Sequence, residues 1–229
     1  MKKLATTFLL LALCATTASA ANQVRISQVY GGGGATSGSP AYNVDYVELF
    51  NSGGTPVNIG GWTIEYGSAT GLWGSSASNI FTFPADTFIQ PCRYILVGCG
   101  TPGSGGAPLS PAADFSGGLT ISATSGKVAL FSAVNTNLAC GAELPGTLVD
   151  KVSFGTANCP EGTNVGALTN VKAAVRNGGG MTDTDNNSAD FTVVLNATPR
   201  NSASPPNGEC IATPAAPSSW GAVKSIYRN

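Results

Sequence analysis

The chain has 229 residues, with 11 basic and 12 acidic side chains, 30 glycines, 14 prolines and no histidine. This length suits one large β domain, and the near-neutral charge gives no electrostatic basis for binding nucleic acid or an anionic membrane. The lack of histidine excludes Ser-His-Asp triads, Cys-His nucleophile pairs and histidine-ligated metals.

The first 20 residues predict a secretory signal peptide. Lys2 and Lys3 precede an apolar run at residues 4–14, which is too short to span a bilayer, and the Ala-Ser-Ala sequence that ends at Ala20 fits the cleavage pattern. We therefore expect cleavage after Ala20, secretion, and a mature chain without a transmembrane segment. Cleavage removes two of the 11 basic residues and leaves nine against 12 acidic ones, a net charge of −3.

Residues 44–66 carry the clearest strand signal. Their side chains alternate with a period of two, and Gly-rich turns interrupt the alternation twice, which predicts three short strands. Trp62 begins the third strand, and its large apolar area predicts the centre of the core; a ligand-stacking platform is the alternative. Glu48 and Glu65 occupy alternate positions, so we expect them to face solvent; the paired carboxylates of a hydrolase are the alternative.

Further strand signals follow along the chain, separated by turn residues. Residues 31–40 and 98–116 predict long loops because they are rich in Gly, Pro and Ser. A series of short strands separated by turn-rich loops predicts an all-β sandwich. The additional strands are expected at residues 25–30, 79–83, 87–90, 93–97, 127–131, 148–154, 171–176 and 191–195.

Residues 181–191 contain an acidic run with oxygen donors at every second position. Asp183, Asp185 and Asn187 are followed by Asp190, a spacing similar to the opening of an EF-hand calcium loop, although the central Gly and the distal Glu are absent. The run predicts either a calcium site formed by these four residues or a cluster of Asx turns that caps the chain before the next strand. No other cofactor is predicted.

Five cysteines remain after cleavage, and most should be paired in an oxidising compartment. Cys92 and Cys99 flank a predicted strand, which would separate their Cα atoms by about 23 Å, too far for a disulfide. Cys210 could pair with either of them, and an odd cysteine stays free or bridges to a partner.

The C-terminal part of the chain differs from the rest in composition. Residues 202–218 are rich in Pro, Ser and Ala and predict a semi-extended linker. Residues 219–229 place Trp220, Val223 and Tyr227 on one face of a short amphipathic helix. Such a short helix needs a docking partner, which is either the sandwich itself or the target of a sorting or binding role.

Several motifs together resemble the lamin tail domain in its bacterial secreted form. The resemblance covers residues 24–202 and implies an immunoglobulin-like β-sandwich at residues 21–201 that has no catalytic residues of its own. Similar proteins carry cysteines at the positions of Cys140 and Cys159, which implies that these two form a disulfide. The motifs are ISQVYGGGG at 26–34, DYVELFN at 45–51, PVNI at 56–59, GWT at 61–63, SGKVAL at 125–130 and VDKVSFG at 149–155.

The expected architecture is therefore an all-β, immunoglobulin-like β-sandwich of the lamin tail domain type with a Pro/Ser-rich C-terminal tail. The resemblance implies a secreted, non-catalytic module with a binding or structural role, and its expected partner is an unidentified extracellular protein or a cell-surface or matrix component. The alternative is an accessory or substrate-targeting module that works with a secreted nuclease or phosphatase, because similar domains accompany such enzymes. Nucleic acid is not an expected partner, given the negative net charge.

Overall fold

The computed structural model describes residues 23–210, and almost all regular structure in this range is β. The predicted signal peptide and residues 211–229, with the predicted amphipathic segment, lie outside the described residues. One α-helical turn, α1 (Asn187–Asp190), precedes the last described strand. The described strands are β1 (Val24–Tyr30), β2 (Asp45–Asn51), β3 (Val57–Asn58), β4 (Thr63–Ser68), β5 (Ile80–Thr82), β6 (Phe88–Ile89), β7 (Tyr94–Cys99), β8 (Phe115–Gly117), β9 (Gly126–Phe131), β10 (Leu148–Phe154), β11 (Lys172–Arg176) and β12 (Phe191–Leu195).

The strands form two main sheets. The larger sheet has the order β12-β11-β1-β2-β7-β8, in which every neighbouring pair is antiparallel except the parallel pair β7–β8. The smaller sheet has the antiparallel order β10-β9-β4-β5, and β3 pairs with β6 in a separate ribbon. The predicted all-β sandwich is confirmed. Among residues 23–210, no helix has the length and apolar character needed to cross a membrane.

The main core lies between the two sheets and takes alternate residues from each strand. Val47 and Leu49 of β2 face Ile64 of β4 and Leu130 of β9 in one continuous buried cluster. Each such side chain contributes roughly 1.5–3 kcal/mol relative to an exposed position. The period of two that is visible in the sequence therefore does mark the inner faces of the sheets.

The outer faces of both sheets are also largely buried, because further segments cover them. Residues 197–210, which we call the C-terminal cover, pack on the larger sheet with Tyr46 and Tyr94. Residues 69–79 and 133–147, which we call the loop cover, bury Trp73 on the smaller sheet. All seven residues of β2 are consequently buried, including the outward-facing ones.

Trp62 is not the centre of the core, so that prediction is wrong. It is only partly buried and packs at the rim of the main cluster, because it precedes β4 at the end of a Gly-rich turn. Trp73, by contrast, is fully buried. It lies in the loop cover, where no alternation marks it, and packs edge-on against Phe131 with ring centroids 5.8 Å apart.

One disulfide attaches each of the two covers to the sandwich. Cys92 joins Cys210, and so fixes the C-terminal cover 118 residues further along the chain. Cys140 joins Cys159, the pair that the family resemblance implied, and anchors the loop cover. Cys99 is a free thiol buried in the main core, and burial raises its pKa far above the ordinary value. Residues 202–210, the first part of the predicted linker, therefore lie against the sandwich.

Candidate functional site

The acidic loop, residues 181–190, folds against a buried arginine. Arg176 ends β11, and its side chain is fully buried. Its Nη2 lies 2.6 Å from Oδ2 of Asp150, and its Nη1 lies 3.1 Å from Oδ1 of Asp183 and 3.7 Å from Oδ2 of Asp190. The guanidinium carbon also lies 4.5 Å from the ring centroid of Phe191. Three carboxylates thus share one cation.

Arg176 and Asp150 join the two sheets at an irregularity in β1. The pairing of β1 with β2 shifts between Ile26 and Gln28, and the ladder of β1 with β11 reaches only to Gln28, so Ile26 has no strand partner on β11. The Ile26 N–H donates to Oδ2 of Asp150 at 2.6 Å, and Nε of Arg176 donates to the Ile26 carbonyl at 2.8 Å. Because Asp150 belongs to the smaller sheet and Arg176 to the larger one, the ion pair connects the layers.

Asn187 closes the open edge of β10. Its Oδ1 accepts hydrogen bonds from the backbone N–H groups of Ser153 at 2.9 Å and Glu161 at 3.2 Å. Its Nδ2 donates to the Lys151 carbonyl at 3.0 Å and to Oε2 of Glu161 at 3.2 Å. The amide side chain therefore pairs with the strand as a neighbouring backbone would.

The four residues predicted to bind calcium do not gather their oxygens around one point. Asp183 pairs with Arg25 and Arg176, and Asp190 accepts from the N–H and hydroxyl of Thr184. The oxygen of Asn187 is taken by backbone N–H groups. Asp185 is exposed, with φ of +55°, and lines a polar groove of about 290 Å³ with Arg25 and Asp183. These contacts favour the Asx-turn interpretation, and calcium binding stays a prediction.

Glu161 is part of this cluster, although sequence reasoning did not find it. Its carboxyl lies within 4.8 Å of those of Asp150 and Asp183. Burial, and after it the charge of Asp150, raises the pKa of Glu161 to about 8. The raised pKa favours the protonated form of Glu161, and Arg176 supplies positive charge to the same cluster. No spacing in the sequence connects Glu161 with the acidic loop.

Glu48 and Glu65 are both fully buried, so the expectation that they face solvent is wrong. Each lies on the outer face of its sheet, as the alternation requires, but a cover closes over it. Since the two sheets lie between them, their carboxyls are separated by more than the sheet spacing of about 10 Å. That separation exceeds the distance of about 5–9.5 Å between the two acids of a glycosidase, so they do not form a paired-carboxylate site.

The chain matches a known family over much of its length. A model of the Lamin Tail Domain matches residues 17–156, which is more than half of the chain. The chain belongs to the lamin tail domain family. The family resemblance and the immunoglobulin-like fold expected from it are confirmed, and the described fold continues beyond the match to Cys210.

The other comparisons support the fold of this lamin tail domain and nothing more specific. A DUF4876 family protein from Bacteroides thetaiotaomicron VPI-5482 is similar, with a TM-score of 0.53 and 15% sequence identity over 82% of this chain and 75% of that chain. No curated protein matches the chain. A sequence identity this low supports a shared fold and gives no information about function.

Two surface grooves lie beside β8, at one end of the larger sheet of the lamin tail domain. The first, of about 360 Å³, is lined by Asp86, Phe88 and Phe115 among others, and Phe88 is 49% exposed. The second, of about 330 Å³, lies on the long loop between β7 and β8 and includes Pro102 and Leu109. The sequence predicts strands at residues 87–90 and 93–97 and a loop at residues 98–116 in this region, and neither groove could be singled out from it.

Proposed function

We propose that this lamin tail domain is a secreted, non-catalytic module that binds an extracellular protein or a cell-surface or matrix component beside β8. The observation that carries the proposal is the contrast between the buried carboxylates, which are occupied by protein partners, and the open grooves at β8. Of the two kinds of region, only the grooves offer free aromatic and apolar surface to a partner.

Secretion is supported by the N-terminal sequence and by the two disulfides. Lys2 and Lys3 before a short apolar run are typical of a signal peptide. Structural disulfides persist in oxidising compartments and are rare in the cytosol. Both observations support a location outside the cytoplasm.

The non-catalytic part of the proposal rests on how the acidic groups are used. Arg200 pairs with Glu48, and Arg176 pairs with Asp150. A general acid or base must reach a substrate, whereas these carboxylates are buried beneath covering segments. The chain has no histidine to take the role instead.

The binding surface is supported by the exposed aromatic ring of Phe88. Aromatic side chains are enriched among the residues that dominate binding energies, because they bury a large area with few rotatable bonds. Asp86 and Asp114 line the same groove, which gives it an acidic rim. A partner that contributes an apolar group flanked by a cation fits this chemistry.

Affinity capture from the native culture medium tests the proposal. The immobilised mature protein is compared with Phe88→Ala, and Leu144→Ala is the matched control, because Leu144 is 48% exposed but lies in the loop cover. We expect a component that wild type and Leu144→Ala retain and Phe88→Ala loses. Equal retention by all three proteins, or no retained component, would contradict the proposed surface.

The same preparations are assayed for nuclease and phosphatase turnover with Mg²⁺ and Ca²⁺. We expect no turnover by the purified protein, and robust turnover would overturn the non-catalytic assignment. Capture of a nuclease or phosphatase through Phe88 would instead assign the domain to the accessory class.

A further inference from the structure

β12 forms the last strand of the larger sheet, and its outer edge is open over the described residues. Its five residues pair with β11 from Arg176↔Phe191 to Lys172↔Leu195. Within residues 23–210, the backbone groups of Thr192 to Leu195 make no hydrogen bond beyond this ladder. Unpaired N–H and C=O groups along a strand are a template for another strand.

The edge of β10, in contrast to that of β12, is covered by other segments of the chain. β10 is also an edge strand, but Val165 donates its N–H to the Ser153 carbonyl at 2.9 Å, and the side chain of Asn187 pairs with Lys151 and Ser153. Two separate segments therefore cover the edge of β10. Among the described residues, no segment covers the edge of β12 in this way.

The sequence of β12 also lacks the usual protection of an edge. Phe-Thr-Val-Val-Leu contains no charge, no proline and no glycine, and the pairing with β11 is regular throughout. Natural edges are usually blunted by lysine, proline or a bulge. Leu195 is 60% exposed, the highest value among the large apolar side chains of the described chain.

We propose that β12 pairs edge to edge with β12 of a second copy of this chain, antiparallel about a two-fold axis. A two-fold interface brings the same surface together from both copies, so the strand must be complementary to itself. Centred on Val193, the pairing places Phe191 opposite Leu195 and Thr192 opposite Val194. Aromatic–aliphatic and β-branched cross-strand pairs are favourable, and no like charges meet.

The dimer is weak and leaves the grooves beside β8 free. A five-residue strand buries less than the ~1,200 Å² of a standard stable interface, so the dimer dissociates on dilution. Since β8 and β12 are the two ends of the larger sheet, the dimer presents its two β8 regions at opposite ends. Two linked sites increase the apparent affinity for a partner that is repeated on a surface.

Sedimentation equilibrium on the full mature chain tests the dimer. Wild type is compared with Leu195→Lys and Thr192→Lys, both exposed positions of β12, and Leu144→Lys is the control with similar exposure outside any strand. From about 5 to about 500 µM, we expect the average mass of wild type and of Leu144→Lys to rise towards that of a dimer. Each β12 variant should raise the dissociation constant at least about tenfold.

Two results would overturn the proposal. One is a wild-type chain that stays monomeric at every concentration. The other is a dimer that forms equally well with lysine at positions 192 and 195. Neither result affects capture through Phe88, so the proposed binding surface is tested independently.

Discussion

The two outer faces of the sandwich each bury a glutamate, and they compensate the buried charge in different ways. On the larger sheet, Arg200 of the C-terminal cover reaches Glu48, with Nη2 2.7 Å from Oε1, and Ser27 donates to the same oxygen at 2.6 Å. On the smaller sheet, Oε1 of Glu65 accepts from the Asn135 N–H at 2.7 Å and from Thr63 at 3.1 Å. Its Oε2 has no partner in the described structure.

Burial raises the pKa of both carboxyls, and the two covers oppose that rise with different groups. The C-terminal cover supplies the guanidinium of Arg200, whose charge lowers the pKa of Glu48 against the effect of burial. The loop cover supplies only neutral donors to Glu65. Lys127 lies on the same outer face, but its Nζ bonds the Gly71 carbonyl at 2.6 Å and the side chain of Asn158 and does not reach Glu65.

Removing each disulfide gives the largest expected effects and compares the two covers directly. In the chain-entropy view, loss of Cys92–Cys210, which spans 118 residues, costs about 5 kcal/mol, and loss of Cys140–Cys159, which spans 19, costs about 3 kcal/mol. Denaturant unfolding measures both losses, in the double variants Cys92→Ala/Cys210→Ala and Cys140→Ala/Cys159→Ala. Equal losses, or a larger loss for Cys140–Cys159, would show that loop closure is not what distinguishes the covers.

Replacing Arg200 should be nearly as costly, because it leaves the buried Glu48 without its cation. We expect Arg200→Met to lower the free energy of unfolding by about 3–5 kcal/mol, the cost of breaking a buried ion pair. Arg93→Met is the control, since Arg93 makes one hydrogen bond to the same cover, at 2.8 Å to the Ser204 carbonyl. That bond is worth about 1 kcal/mol. Similar losses for both variants would contradict the special role of Arg200.

The smaller sheet should respond to pH through Glu65. Burial raises the pKa of Glu65 above its ordinary value of 4.5, so the folded chain keeps this proton to a higher pH than the unfolded chain does. The resulting stabilisation is complete below about pH 4.5 and is lost as the pH rises through the folded pKa.

Glu65→Gln cannot lose this proton, so its stability relative to wild type should rise from pH 4 to pH 8. Denaturant midpoints across that range measure the change, with Glu209→Gln, at an exposed position of the C-terminal cover, as control. A Glu65→Gln profile that runs parallel to wild type would show that folding does not shift the pKa of Glu65, which would contradict the expected rise.

Calcium should have the smallest effect on stability, and its predicted ligands lie in the acidic loop and in neither cover. The oxygens of Asp183, Asn187 and Asp190 already accept from protein donors, so added Ca²⁺ is expected to leave the melting temperature unchanged. Isothermal titration of the mature protein checks this directly. Heat of binding that disappears in Asp183→Ala/Asp185→Ala would establish the calcium site after all.

Most of the strands could be predicted from the sequence, because alternation and turn residues are local properties. β8 could not, since Phe115–Gly117 is too short to show a period and pairs in parallel with β7. The burial of Glu48 could not be predicted from the sequence either, because Arg200, which covers it, lies 152 residues further along the chain. Trp73 and Glu161 were missed for the same reason: loops bring them into place, and loops carry no periodic signal.

The most direct test of the account is a double-mutant cycle on Glu48 and Arg200, with Glu48→Gln, Arg200→Met and the combination measured in denaturant. Buried partners in one ion pair are strongly coupled, so the combined variant should be more stable than the sum of the single losses predicts, by about 2 kcal/mol or more. Losses that add to within about 0.5 kcal/mol would mean that the two side chains act independently. The C-terminal cover would then not be held to the sandwich by the charge it buries.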